Sequence, residues 1–505
     1  MVLDMGAAAM MNADRSRIGR TRGLRGKLTG CRPKHREDGS IAVMSVGALL
    51  VICGLLGLGL DLSRVYNRHA ELQNVAELAA LAAVHELNGT ASGITNALTK
   101  AGDAARKAKY NYWLPVSWSD QAVKFSSSLD GEWLDAGAAA GKPAGLKYVR
   151  VDTSGLDPQM GTVETIFIQV VGGPSTIAST AGRATAGPSS IAVVPFGICA
   201  MSTVPAEGRA NPGSATPTPS APNVELVEYG FRRGVGYDLM RLNPGGTSPA
   251  NFVISPIGGN LDDETVGAFV CTGTMAAREI VGKNVTVATP FPLATLFDRF
   301  NSRFDIYPAG GCNPNSAPPD ANIRAYDRAV PGRVPWMTPT SGPQTAQTTT
   351  AGGKLWTVAD PLPAAAPDAQ SYGVLWSYAK AVPFSSYTAG SPEPATGYTP
   401  FDTSAWSTLY DPGRPAASGY PTTTPYAATS GTNMLAPSAA HKPGLRDRRV
   451  LNIPLLACPV GGGTATVLAV GKFFMTVPAT ATSLYAEFAG TVSPGTLGTD
   501  VELYP

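Results

Sequence analysis

Charge is absent from Ile41 to Leu60, IAVMSVGALLVICGLLGLGL, and this run of 20 residues is the strongest pattern in the chain. A helix rising about 1.5 Å per residue needs about 20 apolar residues to cross a bilayer core of about 30 Å. The apolar stretch of a secretory signal is shorter, about 7–15 residues, and ends at a small-x-small cleavage site. The exit here reads GLGLDLS and lacks that site. The run therefore predicts a retained transmembrane helix. Its glycines, Gly47, Gly54, Gly57 and Gly59, read as ordinary glycines of a lipid-facing helix. No Pro or Gly follows until Gly89. Leu62, Val65, Tyr66, Leu72, Val75, Ala76, Ala79, Leu81, Ala82 and Ala83 recur at spacings of three, four and seven. One continuous helix from Ile41 to about Leu87 is expected, with Asp61 and Arg64 spaced to pair on it. A second helical pattern after Gly93 places Ile94, Leu98, Ala101, Ala105 and Ala108 on one side.

Beyond it the period shortens. KYVRVDT (147–153) alternates as a strand does, VETIFIQVVGG fits a strand or a short helix, and STIASTAGRATAG has the small, Thr-rich look of a strand. From residue 188 onward the chain reads as β and loop. The best strand candidates are SIAVVPFGI, VELVEYG, NFVISPI, NVTVATP, VLNIPLL, TATVLAVGKFFMTV and SLYAEFAGTV. Stretches rich in Pro, Ser, Thr and Gly separate them, at 209–223, 339–353 and 385–440. Such long loops inside a domain are expected either to be partly disordered or to wrap a β core. The predicted fold class is α+β: a transmembrane helix continuing into an amphipathic helix, a small α+β unit, and a β-rich, loop-rich region. The corresponding division is 1–40, a basic arm; 41–60, the span; 61–112, a helical region; 113–187, the small α+β unit; and 188–505, the β-rich region.

Composition supports this reading. Gly (56) and Pro (43) make up about a fifth of the 505 residues, which suits a chain rich in turns. The net charge of +2 hides an asymmetry, because residues 1–40 hold nine Lys or Arg against four Asp or Glu. A basic arm beside a span fixes orientation, with the arm in the cytoplasm and the rest across the membrane. The arm has no aromatic residue for stacking on bases, so nucleic acid is not an expected partner. Of six cysteines, Cys31 and Cys53 fall in the arm and the span. Cys199, Cys271, Cys312 and Cys458 fall in the far region, where disulfides persist. Four cysteines allow three pairings, and the sequence does not choose among them.

Catalytic patterns are sparse. Of the four histidines, His35, His69, His85 and His441, only His441 lies in the large region. No G-x-S-x-G, H-E-x-x-H or G-x-x-x-x-G-K-S/T motif occurs, so no enzyme activity and no cofactor or metal is expected. Asp262-Asp263-Glu264 reads as a solvated turn, and RDRR (446–449) as a charged strand boundary. The aromatic residues of 385–426 read as staples fastening a long loop, with a binding surface as the alternative.

The segment around the span carries a more specific signal. Gly39 and Ser40 precede the apolar run and Ala42 is its second residue, Asp61, Arg64 and Tyr66 follow it, and Leu72, Gln73, Asn74 and Ala76 come next. This order resembles the N-terminal segment of the TadG-like proteins of the Flp/Tad pilus-assembly system. Glu77 stands where that family usually has Asp. Met44 stands where the related pseudopilins carry the Glu of prepilin processing, in keeping with a retained anchor. The resemblance implies a non-catalytic scaffold in the bacterial inner membrane, single-pass, with its bulk in the periplasm. Its expected partners are the lipid bilayer and other Tad/Flp pilus-assembly proteins or pilin. The motif residues are expected to make partner or intramolecular contacts. A surface or envelope adhesin recognising carbohydrate or protein through its outer loops is the alternative.

Overall fold

The computed structural model describes residues 38–111, 114–127, 129–143, 146–168, 177–210, 224–337, 342–360, 371–410, 421 and 424–504. The basic arm up to residue 37, with Cys31 and His35, lies outside them, as do Tyr420 and most of the 209–223 stretch.

The expected long helix forms as α1, Asp38–Val84. Among the described residues it is the one helix long and apolar enough to cross a membrane. A turn through Gly89, at φ +77°, reverses the chain into α2, Ala91–Lys107. The Thr90 hydroxyl caps α2 by accepting from Gly93 N, and Arg106 and Lys107 sit at the negative end of its dipole. The two helices pack antiparallel through small residues: Ala76, Ala79, Ala80 and Ala83 on α1 meet Ile94, Ala97, Ala101 and Ala105 on α2, all buried.

The small unit continues with β1 (Val123–Ser126), α3 (Ala136–Gly141), β2 (Tyr148–Asp152), the hairpin β3 (Thr162–Glu164) and β4 (Ile177–Ser179), and β5 (Arg183–Pro188). β2 is the alternating segment KYVRVDT, and its inward residues Val149 and Val151 are fully buried against the helices. The sheet is antiparallel in the order β1-β2-β5, and its fourth strand comes from far along the chain. Val501–Tyr504 pairs with β5 in the register Val501↔Pro188 to Tyr504↔Thr185. The large region is thus threaded out of the small sheet after β5 and back into it at the other end.

All seven strand candidates of the large region form strands. Five close a ring: β6 (Phe196–Cys199), β7 (Asn251–Ile254), β8 (Asn284–Ala288), β10 (Thr464–Met475) and β9 (Val450–Leu456), which pairs with both β10 and β6. Alternation along each strand sorts the side chains. Cys199, Phe252, Ile254, Val287, Leu456, Val467 and Val470 form one apolar cluster, while Phe196, Ile198, Val253, Ile453 and Phe473 join a second, larger core. Two short helices interrupt the expected β and loop: α4, Asp263–Thr272, and α5, Leu293–Asn301. The acidic run proves to be the start of α4, where Asp262 caps Thr265 N at 2.8 Å.

The long loops wrap the β core where they are described. Phe401, Trp406 and Tyr410 are buried, and Trp376 packs on both Trp406 and Tyr410. The staple reading of these aromatics therefore holds at these positions. The RDRR run does sit at a strand boundary, just before Val450–Leu456, and it divides: Arg446 and Asp447 are exposed, while Arg448 and Arg449 turn inward. Arg448 donates to Cys271 O, Thr272 O and Pro318 O, so it caps the C-terminus of α4. Arg449, fully buried, donates to the carbonyls of Asn322, Arg324 and Met475. Arg232 is equally enclosed. Its Nε meets both Glu225 oxygens at 3.0 Å and its Nη2 meets Leu409 O at 2.9 Å. Glu225 also lies 3.7 Å from Arg209, so one carboxylate compensates two buried cations. Removing one member of a buried ion pair typically costs about 3–5 kcal/mol. Glu225→Ala is expected to lose stability on that scale in urea unfolding.

The cysteines of the large region pair as Cys199–Cys458 and Cys271–Cys312. The first joins the end of β6 to the segment after β9, and the second joins α4 to the loop after α5. Thiol titration of the denatured, unreduced protein is expected to find two reactive cysteines, Cys31 and Cys53. Finding more than two would break this pairing.

Candidate functional site on the first helix

Beyond the apolar run, α1 has two sides, and the motif residues divide between them. On the inner side Leu72 is 1% exposed and Ala76 fully buried. Gln73 imitates a strand residue. Its Nε2 donates to Arg183 O and its Oε1 accepts from Arg183 N, both at 3.0 Å, so the helix is hydrogen-bonded to the start of β5. This approach depends on Gly182, where a Cβ would lie 2.4 Å from Gln73 N. One turn earlier, His69 Nδ1 meets Ala181 O at 2.9 Å. On an adjacent strip Arg68 donates to Asn111 Oδ1 at 2.7 Å, to Tyr110 Oη and to Met160 O, while Glu71 accepts from Asn111 N at 3.1 Å.

Asp61 is the last of these contacts and the most enclosed. The N–H groups of Ile166, Phe167 and Ile168 donate to its carboxylate at 3.1, 2.7 and 2.8 Å, and the residue is 1% exposed. Burial works to raise its pKa, but the three N–H groups and the nearby Arg64 charge outweigh it and hold the carboxyl below the usual range. The i, i+3 spacing predicted a pair with Arg64. The carboxylate instead takes the loop, and Arg64 acts on it as a neighbouring charge. Below Asp61 the loop continues along the helix, and Phe167 lies so close to Gly57 that a Cβ there would be 2.6 Å from its ring.

On the outer side, Arg64, Tyr66 and Asn74 are exposed, Tyr66 at 70%. Leu62 (66%) and Leu78 (42%) accompany them. The apolar pattern placed Leu62 and Tyr66 on the packed face, but the structure leaves both outside it. Arg64 and Asn74 line an open groove with Glu71, Lys109 and Glu164. Gly39, Ser40 and Ala42 form the first turns of α1. Arg68 and Gly182 stand out in no sequence pattern named above, His69 enters only as one of four histidines, and Gly57 reads as an ordinary glycine of a lipid-facing helix. Only Arg68 carried a usable signal, its i, i+3 spacing to Glu71, which closes at 3.6 Å.

The large region gathers one arrangement of catalytic residue types. His441 Nδ1 meets Asp305 Oδ1 and, at 3.2 Å, Ser438 Oγ. Both contacts fall on the same ring nitrogen, whereas a serine relay uses one nitrogen for the carboxylate and the other for the hydroxyl. Among the described residues no group of three or more His, Cys, Asp or Glu could hold a metal ion.

Residues 39–88 match the Tad family model, described as "Putative Flp pilus-assembly TadE/G-like". The matched segment is α1 together with the turn that follows it. This bears out the resemblance read from Gly39 to Ala76 and supports a role related to pilus assembly, in contact with pilus-assembly components. The long apolar helix and the match together fit a membrane-anchored protein. No curated protein and no solved structure matches the chain.

The fit between α1 and β5 is tight enough to test. Overpacking a close contact typically costs about 1–3 kcal/mol. Gly182→Val is expected to lose at least that much in urea unfolding and to expose the 180–183 segment to protease, with the disulfides of the large region intact.

Proposed function

We propose that this protein is a non-catalytic scaffold of Flp/Tad-type pilus assembly, held in the bacterial inner membrane by one transmembrane helix. Residues 1–40 lie in the cytoplasm and the bulk of the chain in the periplasm. The basic arm supports that orientation. Two disulfides in the large region suit an oxidising compartment.

The observation that carries the reading is the division of the matched helix. Its inner side is spent on the chain's own small unit, through Asp61, Leu72, Gln73 and Ala76. Its outer side keeps Arg64, Tyr66 and Asn74 for another molecule. A helix fastened in this way is a stalk of fixed direction. It sets the distance and angle of the β-rich region from the membrane and leaves exposed side chains, Arg64 and Asn74 on one flank and Tyr66 on the other, for pilin or other assembly proteins. Exposed Tyr and Arg are favoured contact residues for that purpose.

Arg64→Ala combined with Tyr66→Ala is expected to abolish or strongly reduce piliation, with protein level and membrane fractionation unchanged. Normal piliation in that variant would sink the scaffold reading. Protease applied to intact cells separates it from an adhesin: a periplasmic scaffold survives, whereas a surface-displayed binding module is cut.

A further inference from the structure

We propose that the loop Thr165–Ile168 is a second membrane contact, an apolar foot that reaches back along α1 and seats in the lipid interface beside the transmembrane helix. The inference rests on the reading of Ile41–Leu60 as a membrane span.

The hairpin that carries the loop runs down the helix. Met160 O meets Arg68, Glu164 lies in the groove with Arg64, and Ile166 to Ile168 meet Asp61. The chain then passes Asp61. Phe167 packs on Gly57, which lies about 6 Å further along the helix axis, inside the charge-free run. From Ala42 to Leu60, Gly57 is buried and Gly54 half-buried, while every other residue is exposed. The apolar run is therefore bare except at Gly57, where Phe167 sits, and in part at Gly54. At this depth the exposed side chain of Ile166 (53%) faces hydrocarbon or headgroup rather than bulk water. Interfacial elements bury their apolar faces to about 5–10 Å, which is the depth reached here.

The backbone chemistry fits the same location. Irregular backbone is tolerated at membrane depth only where its polar groups find partners in the protein. Three successive N–H groups of the loop converge on one carboxylate, a requirement that would be slight in water and is severe in lipid. The partner class is the lipid surface itself.

The test uses the full chain with Cys31→Ser and Cys53→Ser, reconstituted alone in phosphatidylethanolamine/phosphatidylglycerol vesicles. A nitroxide is attached at Ile166→Cys, at Leu50→Cys within the span, or at Ile257→Cys in the large region, where Ile257 is 49% exposed. Collision with lipid-soluble oxygen is compared with collision with a water-soluble nickel chelate. The Ile166 label is expected to be oxygen-dominated, like Leu50 and unlike Ile257. Adding Gly57→Leu, which fills the seat of Phe167 while keeping the span apolar, is expected to raise nickel access at Ile166 severalfold. An Ile166 label as open to nickel as Ile257, with Leu50 still in lipid, overturns the foot and leaves the loop for a protein partner. Leu50 in water overturns the span reading as well.

Discussion

One carboxylate holds the whole lower edge of the small unit. Asp61 sits where the charge-free run ends, and its oxygens collect three consecutive N–H groups from the loop after β3. Charge-assisted bonds of this kind are roughly twice as strong as neutral ones. Without them the β3–β4 hairpin would hang from α1 by its upper contacts alone. With them, contacts to Gln73, His69, Arg68, Asp61 and Gly57 run along more than four turns of helix. The helix and the sheet thereby behave as one body, and each later element inherits its position from that joint.

The large region solves a different problem by related means. It carries few regular elements for its length, and much of its backbone would be unpaired if left to the ladders alone. Buried arginines supply the missing donors. Arg449 serves carbonyls from two segments, Arg448 closes the end of α4, and Arg303 reaches Val270 O on the same helix. A guanidinium has five donors in a rigid plane, so one side chain joins several loops that have no strand in common. The aromatic staples fill the space between them. Loops held in this way are interior structure, although their composition resembles that of solvent-exposed linkers.

These two cases also mark how far the sequence was readable. Period and length gave α1, α2, β2 and the strands of the large region, because burial on one side leaves a repeat of 3.6 or 2. The small α+β unit was legible for the same reason. The partner of β5 was not, because VELYP at the far end of the chain carries no local sign of its destination. Asp61 looked like a boundary marker and a partner for Arg64, since helical spacing reports neighbours on the helix and says nothing of a loop more than 100 residues away. Gly57 looked like any glycine in lipid, and its use appears only when Phe167 is beside it. The motif named the right helix but not which of its residues face inward. Tyr66 fits an apolar stripe by number and lies outside it because the sheet covers α1 from a different angle.

The return of Val501–Tyr504 to the small sheet has a mechanical consequence. A domain tied on by one strand of chain can swivel about that strand. Here the large region leaves from Pro188 and re-enters at Val501, and these two residues are paired neighbours. Two tethers side by side resist twisting, and the Lys147–Glu279 and Arg278–Glu502 ion pairs brace the same joint at 3.3 and 3.6 Å. A torque applied to the large region passes through this double cord into β5 and from there into the helix, so the heading of that region is geared to the rotation of α1.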